Sequence, residues 1–146
     1  MTGGARRAKG VGISLGDGPA YPVPGMIEAP PAPGGVAMLS ENERHGSVYR
    51  VKTLWAVAPG APSDLVVRGA SLRTGAPLRF LVPAGPAAAR RGRSTERLNR
   101  VALPATDGEW TYAPGVTLLP GPGCYAFRLI GNGVHDEIVF RAALSD

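Results

Sequence analysis

The chain has 146 residues, of which 21 are glycine and 15 proline, and its formal net charge is +5. The length suits one domain, and the 44% hydrophobic fraction argues against wholesale disorder. No apolar run approaches the ~18 residues a membrane helix needs, so a transmembrane segment is excluded. Fourteen of the sixteen basic residues are arginine, and Ala, Gly, Arg and Pro fill nearly half the chain. All four have GC-rich codons, so the arginine excess reads first as the mark of a GC-rich genome and argues less for nucleic acid than lysine would. A single cysteine, Cys124, excludes an intramolecular disulfide and a four-cysteine zinc site.

Residues 1–35 are dominated by Gly and Pro. Proline fixes φ and lacks a ladder donor, so no helix or central strand is expected there. The reading is a flexible N-terminal arm over residues 1–35, with Ala20, Tyr21 and Val23 docking along the edge of a single domain that spans residues 36–146. Arg6, Arg7 and Lys9 imitate the basic start of a signal peptide. The apolar stretch after them is short and holds Gly12 and Ser14, so no export signal is expected.

From residue 48 the pattern changes. Tyr49, Val51, Thr53, Trp55 and Val57 alternate with Arg50 and Lys52, which predicts a strand with one apolar and one wet face. Pro59-Gly60 ends it. Short strands are expected at residues 65–68 and 78–82. A long loop follows over residues 83–100, where Pro86 and Gly92 limit any helical turn. Further strands are expected at residues 110–112, 116–119, 124–130 and 137–143, divided by Pro114-Gly115, by residues 120–123 and by Gly131-Asn132-Gly133. The last divider predicts a β-hairpin.

About seven short strands separated by turn residues indicate an all-β protein, an antiparallel sandwich or barrel. Its expected core is Tyr49, Val51, Trp55, Val57, Leu65, Val67, Phe80, Trp110, Leu118, Tyr125, Phe127, Leu129, Ile138 and Phe140.

Residues 120–125, PGPGCY, followed by AFRLIG, resemble the penultimate strand of immunoglobulin-like domains, where a Pro-Gly turn delivers an aromatic near the strand start. More narrowly, GPAYPV (18–23), LWAVAPG (54–60), VRGASL (67–72) and GPGCY (121–125) together resemble uncharacterised bacterial envelope proteins. Those have GPxYP, LWxxxPG, VRGxxL and PGCW segments in the same order, and Tyr125 stands where they have Trp. The resemblance implies an immunoglobulin-like β-sandwich and a cell-envelope or secreted location, whereas a chain with no export signal is expected in the cytoplasm. It brings no known reaction.

Several residue sets are candidates for chemistry. Cys124, His135 and Asp136 are the types of a thiol enzyme, which needs a base within hydrogen-bond reach of the sulfur. A hairpin puts Cys124 far from the turn and His135 in it, on the order of 20–30 Å apart, so a buried structural thiol is the plainer reading. Glu43 and His45 alternate as a weak metal pair, but their setting reads as a solvated turn. Arg90, Arg91, Arg93, Arg97 and Arg100 form the densest charge cluster. They suit contact with a partner, or electrostatic binding of nucleic acid or another anionic polymer, though the cluster lacks an aromatic for base stacking. Gly16-Asp17-Gly18 and Gly131-Asn132-Gly133 precede no helix and read as turns, not phosphate loops. Trp55 and Trp110 read as core anchors.

The expectation is a non-catalytic, immunoglobulin-like binding module, with no cofactor and no metal. It contacts another protein through loops or a sheet edge, the five arginines being the candidate contact.

Overall fold

A computed structural model describes residues 6–8, 12–14, 18–24, 27–28 and 36–145. The chain is all-β, with two six-stranded sheets consistent with a β-sandwich, the first of them curled. In chain order the strands are β1 (Arg6–Ala8), β2 (Gly12–Ser14), β3 (Ala20–Pro24), β4 (Ile27–Glu28), β5 (Val36–Leu39), β6 (Arg44–His45), β7 (Val48–Val57), β8 (Val66–Ser71) and β9 (Arg79–Pro83). Then come β10 (Thr95–Leu98), β11 (Val101–Ala102), β12 (Thr111–Leu119), β13 (Gly123–Gly131) and β14 (Val134–Leu144). A 3-10 turn occupies Glu41–Glu43, and a single-turn helix, α1, Pro86–Arg90.

The first sheet runs β10-β9-β12-β7-β3, with β6 also pairing β7, and the second runs β11-β8-β13-β14-β5-β4. All pairings are antiparallel except β5 on β14. The strands β1 and β2 pair with each other in a small separate sheet. Six strands, β7, β8, β9, β12, β13 and β14, answer to the seven expected, two of which merge in β12, and the other eight have only two to five residues each.

The alternation read in β7 matches its burial: Tyr49, Val51, Thr53, Trp55 and Val57 are all buried. They face Tyr125, Phe127 and Leu129 of β13 and Ile138 and Phe140 of β14 in one core. Phe127 is its centre, with its ring 5.3 Å from Trp55, 6.2 Å from Phe80 and 4.8 Å from Phe140. Of the fourteen expected core residues, two stand outside that cluster: Leu118, buried but on the outer register opposite Arg50, and Trp110. Trp110 is 38% exposed because it precedes β12 on the outer side of the first sheet, where its ring lies 5.9 Å from that of Tyr21.

Two buried hydroxyls tie the first sheet internally. Thr53 Oγ1 donates its one proton to the Val51 carbonyl at 3.0 Å. It must therefore accept from Thr117 Oγ1, 2.8 Å away.

The hairpin expected at residues 131–133 forms, with Gly131 opposite Val134 and a positive φ at Gly133 that suits the two-residue turn. Two expectations are corrected. Pro114-Gly115 does not divide two strands: β12 runs through it, with Pro114 opposite Leu54 and Gly115 opposite Thr53. On its other side β12 meets β9 only at Val116, Thr117 and Leu118, so the proline falls where one edge of the strand is unpaired. Residues 83–100 are not one long loop but hold α1 and the edge strand β10. Within α1, Ala88 is buried, which anchors this segment to the body.

Ala20–Pro24 lies along β7 as an edge strand, with Ala20 fully buried, and Ile27–Glu28 pairs with β5. Residues 1–5, 9–11, 15–17, 25–26 and 29–35 of the expected arm, with Gly16 and Asp17 of the expected turn, lie outside the described residues. Among the described residues no helix is long and apolar enough to cross a membrane.

Candidate functional site

The arginine cluster is built on two elements. Arg90 closes α1, where a cation suits the helix C-terminus, and Arg91 caps it. Arg93 lies in the turn that follows, with its amide bonded to the Ala88 carbonyl at 3.0 Å. Arg97 sits within β10 opposite Leu81, and Arg100 lies between β10 and β11. All five are exposed.

They do not converge on one point. Arg97 lines a groove of about 670 Å³ with Arg73, Arg79, Leu118 and Cys124. Arg100 lines a second one with Asp64, Arg68 and Ile130. Arg90, Arg91 and Arg93 flank the other end of β10. β10 itself is the last strand of its sheet, with β9 its only neighbour among the described residues. Its Leu98 is 40% exposed. A sheet edge presents unpaired amides and carbonyls, which a partner strand can pair with and which flanking charge guards against wrong partners.

The thiol is exposed, contrary to the buried position expected. Cys124 is the second residue of β13, on the outward register with Ala126 and Arg128, while Tyr125 and Phe127 take the inward positions. His135 stands at the start of β14, opposite Ile130, and Cys124 is opposite Arg141. Six residues of strand separate them, about 20 Å, so the hairpin does not bring thiol and imidazole together. Asp136 accepts a 2.9 Å hydrogen bond from the Glu137 amide through Oδ1 and does not orient a base for Cys124.

Glu43 ends the 3-10 turn and His45 pairs with Val48, both exposed. Glu41, one turn away, instead accepts a 2.9 Å hydrogen bond from the Tyr49 hydroxyl, and that bond raises the tyrosine's pKa. Among the described residues no three His, Cys, Asp or Glu side chains gather as a metal site.

The corner between β12 and β13 was missed as a constellation, although the PGPGCY segment signals it. Tyr125 sends its hydroxyl back to the Gly121 carbonyl at 2.6 Å, and burial raises its pKa. Comparison with protein-family models, with curated proteins and with solved structures finds no match to this chain.

Proposed function

We propose that the protein is a non-catalytic, immunoglobulin-like interaction module that contacts another protein through the β10 edge and its arginines. The observation that carries this reading is the open edge itself: a strand at the sheet boundary with five exposed arginines on and around it. Rigid sandwiches commonly display binding residues on such margins.

Strand order supports the immunoglobulin-like part. The β3-β7-β12-β9 series corresponds to an A-B-E-D sheet, and β8-β13-β14 to C-F-G. The Tyr125 bond to Gly121 is the counterpart of a tyrosine corner at the start of strand F. Two residues further on, Phe127 meets Trp55 between the sheets, where antibody domains have their disulfide.

The divergence of Arg97 and Arg100 toward separate grooves suits a partner that straddles the edge better than a single phosphate track. The test is a pull-down with the wild-type protein and with Arg91→Glu/Arg93→Glu/Arg97→Glu. The partner recovered by the wild type is expected to be lost by the triple variant, in a salt-dependent way. Equal recovery by both would remove the edge from the reading. Recovery that disappears on nuclease treatment would replace the protein partner by nucleic acid.

A further inference from the structure

The outer face of the first sheet carries a second surface, which meets the β10 edge at Ser94 and Thr95 and has Arg97 opposite Leu81. Because the odd-numbered residues of β7 point into the core, Arg50, Lys52, Leu54 and Ala56 point outward. Residues directly opposite on neighbouring strands share that face. Register therefore adds Tyr21 and Tyr112 beside Ala56, Val23 and Pro114 beside Leu54, and Val116 beside Lys52. Leu81 beside Val116 and Arg79 beside Leu118 extend it to β9.

The result has three parts. Leu54, Leu81, Pro114 and Val116 line an open groove of about 630 Å³. Tyr112, opposite Ala56 on the same face, and the preceding Trp110 are 41% and 38% exposed. Arg50, Lys52 and Arg79 are cations, and no carboxylate occupies the outward register of β7, β9 or β12. Glu43, in the 3-10 turn, lines a neighbouring hollow with Arg50 and Lys52, and Glu109 precedes Trp110 in the chain.

We infer that this face docks an extended acidic protein segment bearing one bulky apolar side chain. The apolar side chain sits on Leu54, Leu81, Pro114 and Val116, and its flanking carboxylates meet Arg50, Lys52 and Arg79. Uniform charge selects the sign of the partner and speeds the encounter. Exposed Trp, Tyr and Arg are the residue types that dominate binding energy at protein interfaces.

The groove also favours protein over single-stranded nucleic acid. Its floor is aliphatic, whereas bases need separate aromatic platforms. Here Trp110 packs against Tyr21 at an interplanar angle of 38°.

The experiment is an NMR titration of the full chain with a peptide of six glutamates around a central leucine. Controls are the same peptide with lysines for glutamates, an all-glutamate peptide and an oligothymidylate. The expected result is shifts at the amides of Leu54 and Val116 and at the Trp110 indole, from the Glu-Leu peptide above all. Arg50→Glu/Lys52→Glu should weaken that binding by about tenfold or more, with thermal melts confirming that the variant is folded. Arg91→Glu/Arg93→Glu, outside the groove lining, should weaken it less than Arg50→Glu/Lys52→Glu, and an equal or greater loss would move the contact to the β10 edge. Silence at these amides, shifts confined to β10, or preference for the oligonucleotide would each overturn the inference. So would shifts at the same amides that depend on protein concentration alone, which would assign the face to a second copy.

Discussion

The two outer faces of the sandwich are built from the same pleated backbone and differ in their chemistry. On the second sheet Arg128 stands between Glu137 and Arg68, with an ion pair of 3.5 Å to Glu137, and the outward residues mix both signs. On the first sheet the outward charges of β7 and β9 are all cations around an aliphatic floor. The second face meets one of its arginines with a carboxylate, while the first offers cations of a single sign beside exposed aromatics and has no carboxylate in register on β7, β9 or β12. What the comparison teaches is that the shared core leaves each face free to take its own composition.

That shared core is also where the comparison breaks most easily. Phe127→Ala removes the ring that touches Trp55, Phe80 and Phe140 and should cost about 3–5 kcal/mol in urea unfolding. Both sheets should lose hydrogen-exchange protection together. If only one did, the two faces would not belong to one cooperative body.

A sharper test separates the hydroxyl pair of the first sheet. Thr53→Val strands the Thr117 proton in the core and should cost about 1–3 kcal/mol. Thr117→Val leaves Thr53 bonded to the Val51 carbonyl and should cost less, about 0.5–1.5 kcal/mol. Equal losses would mean that the proton runs the other way.

On the second sheet, Tyr125→Phe should cost about 0.5–1.5 kcal/mol by losing the corner bond to Gly121. The unfolded chain ionises this tyrosine near pH 10, while burial keeps it protonated to higher pH in the folded state. The folded state then holds the extra proton, so stability is full below about pH 10 and falls as the pH rises above it. The variant should show a shallower alkaline fall in chemical denaturation. The smallest effect is expected from Glu137→Gln, whose exposed ion pair with Arg128 should contribute no more than about 1 kcal/mol, and less in high salt.

Elements whose signal is local were legible in the sequence. The alternation of β7 and the two-residue turn between β13 and β14 needed no knowledge of neighbours. Other elements depend on partners distant in the chain. Strand β5 has four residues and exists as a parallel addition to β14, more than a hundred positions later. Strand β10 is a sheet boundary, so its side chains stay wet and read as loop. Pro114-Gly115 reads as punctuation, and only the sheet order reveals that β9 stops short of it.

The same holds for the sites. The five arginines of residues 90–100 stand out in the text, though their separation between grooves does not. The outward surface of the first sheet was hidden because Leu54 and Ala56 break the polar alternation of β7. Tyr21 and Tyr112 are ninety-one positions apart and become neighbours of one alanine only through the order of strands.

The contact between Trp55 and Phe127 has a practical corollary. Antibody domains join their two layers with a covalent sulfur bridge, whereas here two rings meet between the layers at 70°. No electron transfer can undo it. Reductants such as dithiothreitol should leave the melting temperature where it was, and the fold is as well suited to a reducing milieu as to an oxidising one.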